Sequence, residues 1–165
     1  MAKSDTEANV TQSVLDRLTD LEPRESGDPQ FSRTLSVRQY KAGVRRDLQW
    51  LLNTKRTPEE AGPELEHTHK SLYNFGIPDF SVLAVQSSRD RSRLLTDMQQ
   101  AIEFFEPRLR TVRVGLVNHD GLYTKMLRFQ IEATLMMDPA PEQVSFDTVL
   151  DVINGDYEVK GERGA

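Results

Sequence analysis

AIEFFEPRLRTVRV, residues 101 to 114, contains the change of period on which the fold depends. Up to Phe105 the apolar residues lie on one helical stripe, with Leu94, Leu95, Met98, Ile102 and Phe105 facing a core from a helix over about residues 90 to 106. Pro107 cannot continue that helix and pushes Glu106 out of the helical region. From Thr111 the period is two. In extended chain, residues two apart point to the same side, so Glu106 and Arg108 are expected to project together from a helix-to-strand corner.

Toward the N-terminus, the nearest strong signal is another helix. Ser36 and Gln39 have capping-box spacing, and Leu35 and Tyr40 sit where a hydrophobic staple would close, so a helix is expected to start at Ser36. Val37, Tyr40, Val44, Leu48, Leu51 and Leu52 form its apolar face, and the pattern fades near Asn53 and Thr54. Trp50, in the last turns, is expected to pack. The connection from 54 to 80 is punctuated by Pro58, Pro63, Gly76 and Pro78, and a loop of that length tends to have a function or to lack order.

Toward the C-terminus, TVRVGLVN and LYTKMLRFQIEATL alternate around Asp120-Gly121, a strong hairpin signal. Leu127, Phe129, Ile131, Ala133 and Leu135 share one face while Leu122, Thr124 and Met126 are out of phase, which predicts a bulge near Met126. VSFDTVLDVI and DYEVK make a second hairpin around Asn154-Gly155. The expected strands are 111 to 118, 126 to 136, 144 to 151 and 156 to 160. Helices first and strands afterwards predict an α+β fold, a small antiparallel or mixed sheet with two main helices on one face.

The flanks are more polar. Residues 1 to 35 read as an N-terminal extension, residues 36 to 160 as a single α+β domain, and residues 161 to 165 as a loose tail. Within the extension, Ser13 can cap a short helix with Asp16 three residues on, and Val14, Leu15, Leu18 and Leu21 form one apolar face. EPRESGDPQ, residues 22 to 30, is linker. A helix this short is marginal alone in water, so its apolar face must dock either on its own domain or in a groove of another protein.

Composition narrows the function. The 165 residues suit one domain, and a formal charge of -5 argues against nucleic acid as the main ligand. Arg89, Arg91 and Arg93, then Arg110 and Arg113, read instead as solvated faces or protein contacts. No run reaches the roughly 18 apolar residues of a membrane span, and the start lacks a secretory apolar stretch, so a cytoplasmic protein without direct membrane insertion is expected. The absence of cysteine removes disulfides and thiolate chemistry. Glu64, His67 and His69 lack the helical spacing of a zinc motif and read as a solvated loop, so neither metal nor cofactor is expected. Glu103 with Glu106, or Glu106 with Asp79, could be proposed as the carboxyl pair of a glycosidase, which needs them roughly 5 to 10 Å apart across a cleft. No such cleft is legible, and no catalytic residues are assigned. At the corner, Glu106 and Arg108 admit two readings, a local salt bridge or charges that reach across a protein interface.

SVLDRLTD, VRRDLQWLLNTKR, SLYNFGIPDF, AIEFFEPRL, LRFQIEATL and SFDTVLD, in this order from Ser13 to Val159, resemble the TssE family of type VI secretion baseplate subunits, which belongs with the small wedge proteins of contractile phage tails. The resemblance implies a domain similar to the handshake domain of the contractile sheath, and an assembly protein despite the family's lysozyme-like label. A peptidoglycan hydrolase is the alternative. The implied partners are the wedge subunits TssF and TssG, with TssK as a further candidate, and the sheath subunits, whose first ring such a protein would template at the cytoplasmic side of the inner membrane. In such proteins the motif here formed by Glu106, Pro107 and Arg108 is associated with contact to the wedge's helical core bundle. Sheath subunits are linked by strand exchange, and which strand of this sheet is open is not legible in the sequence.

Overall fold

A computed structural model of the chain describes residues 10–19, 24, 33–59, 61–69, 71–79, 87–117 and 126–161. Its helices are α1 (Val14–Leu18), α2 (Arg33–Asn53), α3 (Glu66–His69) and α4 (Ser88–Phe105), and its strands β1 (Leu109–Leu116), β2 (Met126–Leu135), β3 (Glu142–Asp151) and β4 (Asp156–Val159). The strands form one antiparallel meander in the order β1-β2-β3-β4. The fold is α+β, with α4 lying over β1, α2 over β4, and the two helices touching. The sheet itself is antiparallel rather than mixed; an isolated parallel bridge pairs Lys55 with Ile77 outside it.

The core follows from the two periods. Val44, Leu48, Leu51 and Leu52 of α2 and Leu94, Met98, Ala101 and Ile102 of α4 are buried against Leu127, Phe129, Ile131, Ala133 and Leu135 of β2. Val144, Phe146 and Leu150 of β3 and Tyr157 and Val159 of β4 complete the inner face. β1 begins at Leu109, two residues before the expected start, and carries a register irregularity; the residues just before Met126, on which the expected bulge rests, lie outside the described residues. The β1–β2 register shifts between Arg110 and Arg113, and Thr111 adopts a φ of 52°. This bulge resets the phase so that Leu109 and Val112 both face the core while Arg110 and Arg113 face out. From Met126 on, β2 pairs with β3 without interruption.

α2 starts at Arg33, not at Ser36. Ser36 is therefore not a cap: it lies buried in the first turn, donating to the Arg33 carbonyl at 2.7 Å and accepting the Val10 N–H at 3.2 Å. Trp50 also departs from expectation. It is 53% exposed, because the stripe that buries Leu48, Leu51 and Leu52 turns residue 50 away from the sheet. The long connection after α2 is closed at its neck, where Arg56 N–H donates to Ile77 O at 2.8 Å and Ile77 N–H to Thr54 O at 3.0 Å. Within it, Tyr73 Oη donates to the Glu59 carbonyl at 3.1 Å and Asn74 Nδ2 to the His69 carbonyl at 3.0 Å.

The last hairpin turns at Gly155, whose φ of 75° suits glycine. β4 is then fastened to α2. Gln49 Oε1 accepts the Val159 N–H at 2.6 Å, Asn53 Oδ1 accepts the Tyr157 N–H at 2.9 Å, and the Tyr157 carbonyl accepts from both amide groups. Leu21, the 22–30 linker apart from Arg24, the Asp120-Gly121 turn with Leu122 and Thr124, and the last four residues lie outside the described residues.

Candidate functional site

The corner at Pro107 is built from three parts of the chain. Glu106 caps α4, its N–H donating to Ile102 O at 2.9 Å, and the backbone turns there so that Leu109 N–H donates back to Glu106 O at 3.0 Å. Arg108 folds toward the same side as Glu106. Its Nε donates to Oε1 at 2.6 Å and its Nη2 to Oε2 at 2.5 Å. The same Nη2 also donates to Asp47 Oδ2 of α2 at 2.5 Å.

The chain of charges continues. Asp47 Oδ1 accepts from Arg46 Nε at 3.0 Å and Nη2 at 2.8 Å, and Arg46 Nη1 donates to Asp16 Oδ1 of α1 at 2.7 Å. Glu106, Arg108, Asp47, Arg46 and Asp16 thus alternate in sign across α1, α2 and the corner. Glu106 and Arg108 thus form the local salt bridge that one of the two readings describes, but with Glu106 only 4% exposed it is not an exposed pair. Burial lowers the affinity of Arg108 for its proton, but its bonds to Glu106, the Glu106 charge and then Asp47 outweigh that, holding the guanidinium above its ordinary pKa. Burial raises the Asp16 carboxyl, and the Ser13 bond together with Arg46 and Arg108 brings it below its ordinary value.

Beside this partly buried network several apolar and aromatic side chains are exposed. Pro107 is exposed at the tip, Phe104 is 48% exposed, and the exposed Trp50 ring lies 5.0 Å from the Arg46 guanidinium. Arg108 lies 5.8 Å from the Tyr40 ring, and its Nη1 is buried without a hydrogen-bond acceptor. Sequence reasoning placed Glu106, Pro107 and Arg108 but missed Asp47 and Arg46. They stand on α2, Asp47 61 residues from Arg108 and Arg46 next to it, and no local pattern ties them to Arg108.

α1 is attached in an unexpected way. Val14 and Leu18 are more than seven-tenths exposed and Leu15 nearly half, so the described part of the apolar face is largely open to water. The segment is held by Val10, which is buried, by Gln12 Nε2 donating to Ser36 O at 2.8 Å, and by Asp16 on Arg46. Its cap is as the sequence suggests, with Ser13 Oγ accepting the Asp16 N–H at 3.2 Å.

The rival chemistries find little geometry. His69 Nε2 lies 3.2 Å from Gly62 O within its own loop, His67 is exposed, and among the described residues no three potential ligands gather to hold a metal. Both oxygens of Glu106 are occupied by Arg108, Glu103 accepts from Gln99 at 3.1 Å, and Asp79 pairs with Lys55 at 3.1 Å. An apolar hollow lined by Leu52, Ile77, Leu94, Leu127, Leu150 and Tyr157 opens at the far end of β2 from the corner. Among the described residues no helix is long and apolar enough to cross a membrane.

Comparison with known proteins adds three findings. No curated protein matches the chain. One chain of a solved structure, "The baseplate complex from the type VI secretion system", is similar at 14% identity and a TM-score of 0.48, over 68% of this chain and 94% of that one. The family model for the baseplate wedge protein gp25 matches residues 38–140, which run from the first turns of α2 through the corner to the turn after β2. That stretch is more than half of the chain and holds the whole of the corner apart from Asp16, and so this chain belongs to the gp25 family of baseplate wedge proteins, structural components of a baseplate.

Proposed function

We propose that this chain is the gp25-type wedge subunit of a type VI secretion baseplate, cytoplasmic at the inner membrane, and that it docks on TssF and TssG through the Glu106-Pro107-Arg108 corner. TssK and the sheath subunits are its further partners. The observation that carries the reading is the corner itself: an exposed proline set between two charges that are fixed by each other and by Asp47, with Phe104 and Trp50 exposed nearby. Fixed charges keep a docking surface in one shape, and aromatic side chains give contact area at small entropic cost. The work is positional, with no bond made or broken. The order of motifs along the chain supports the type VI assignment, and the exposed Val14, Leu15 and Leu18, with Leu21 beyond them, supply a second contact for a groove on a wedge subunit.

The sheet favours one edge for sheath strands. At β4 the outward backbone groups of Tyr157 and Val159 are taken by Gln49 and Asn53. At β1 the Val117 N–H points inward to Arg128 O, so in antiparallel pairing Leu116, Val114 and Val112 present theirs outward. Among the described residues nothing bonds to those groups, which makes β1 the edge open to strand addition.

The test is capture of TssF and TssG by tagged chain. Glu106→Gln combined with Arg108→Met removes both charges without orphaning either, and should retain the fold while lowering capture about tenfold or more. Undiminished capture by the folded double variant would take the corner out of the interface.

A further inference from the structure

We propose that Gly43, Arg46 and Arg108 form a carboxylate-binding seat, which this chain fills with its own Asp16 and which an acidic residue of a partner polypeptide fills once α1 is drawn away by its apolar face. This rests on the corner being a docking site and goes further by naming what the partner brings. The seat has a floor, a cation and a field. Asp16 lies so close over Gly43 that a Cβ added there would stand 2.8 Å from Oδ2, so the floor is bare backbone. Arg46 Nη1 holds Oδ1 at 2.7 Å. Arg108 shares Asp47 with Arg46, so its charge stands one residue beyond the cation that holds Asp16, and Glu106 and Asp47 both bond its guanidinium.

The occupant is weakly owned. α1 has five residues, below the length that sustains a helix by itself, and it shows water its apolar side while polar groups tie it down, its one apolar anchor among the described residues being Val10, four residues before its start. A partly exposed ion pair contributes little, whereas burying Val14, Leu15 and Leu18 in a groove contributes more, so a partner that offers such a groove takes α1. Ser13, whose Oγ donates to Asp16 Oδ2 at 2.6 Å, leaves with it. The seat remains, since Arg46 is still bonded to Asp47 and stacked on Trp50, and the group that fits over Gly43 is again a short carboxylate.

Trp50, the single tryptophan, lies against Arg46 and reports on the seat. In full-length chain carrying Asp16→Asn, the Trp50 indole N–H resonance should shift, and trypsin should cut after Arg17 about tenfold faster than in the parent. The probe is an acetylated, amidated peptide of residues 12 to 19. Added to the variant, it should return the indole resonance to its parent position with a Kd of about 1 mM or tighter, while the same peptide with Asn for Asp should not. Gly43→Val, which fills the floor, should also block the peptide in a chain whose Tm is retained. An unchanged resonance and cleavage rate in Asp16→Asn, or equal binding of the two peptides, overturns the seat. If that happens while the double corner variant still loses TssF and TssG, the seat falls and the docking surface stands; loss of the docking result alone removes the partner's role and leaves a self-filled site.

Discussion

Arg108→Ala should destabilise this protein far more than loss of a surface pair. The substitution removes both guanidinium bonds to Glu106 and the bond to Asp47, leaving a 4% exposed carboxylate beside a second carboxylate. Breaking a buried pair by deleting one partner costs about 3–5 kcal/mol, against about 0–1 kcal/mol for an exposed one. At about 2–4 °C per kcal/mol for a chain of this length, the Tm should fall on the order of 10 °C. Glu106→Gln with Arg108→Met deletes the charges together and leaves Asp47 bonded to Arg46, so it should cost less than about 1.5 kcal/mol. Urea unfolding of parent, single and double variants measures both. A single variant within 1 kcal/mol of the parent, or a double variant worse than the single, would refute the idea that mutual burial holds these charges.

Four further outcomes follow from the structure. Tyr157 Oη is buried with no hydrogen-bond partner, so Tyr157→Phe should stabilise by about 1 kcal/mol in urea unfolding. Burial also raises the Tyr157 pKa, so the folded state keeps its proton where the unfolded tyrosine loses it, and stability should decline above about pH 10 in the parent with a shallower slope in Tyr157→Phe. Gln49→Ala with Asn53→Ala strips the cover from the β4 edge, and should cost about 1–3 kcal/mol per backbone group left unmet and open Tyr157 and Val159 amides to hydrogen exchange. Asp16 has a lowered pKa, so its hold on α1 is full above the unfolded value of about 3.9 and is lost as pH falls through the folded one; the Trp50 resonance should stay constant from pH 7 to 5 and move only below about pH 4.

The parts of the fold that one sequence reveals are those with a local cause. Pro107 ends α4, and the alternation of β2 buries Leu127, Phe129, Ile131, Ala133 and Leu135 as its pattern requires. Ser36 misled because its capping-box spacing is real but its hydroxyl is used by Val10, 26 residues away, and the helix runs on to Arg33. Trp50 misled because size suggested packing while its helical phase points outward. The site was half legible. Proline geometry brought Glu106 and Arg108 to one side, but the partner that buries them, Asp47, is a polar residue on the outer flank of a helix, a position where sequence offers only solvent as the default.

A protein whose task is placement gains from charges that bond internally. Glu106 and Arg108, if free, would sample many rotamers at the corner and, in the proposed docking, would lose that freedom. Tied to Asp47, they join the end of α4 to α2, and Arg46 extends the chain of charges to Asp16 of α1. Burial of such a network is weak support for stability but sets a single geometry. The same helix that carries Asp47 also carries Gln49 and Asn53, which close the β4 edge. One stretch of α2 thus anchors the corner through Asp47 and closes the β4 edge through Gln49 and Asn53, so both are referred to the same helix.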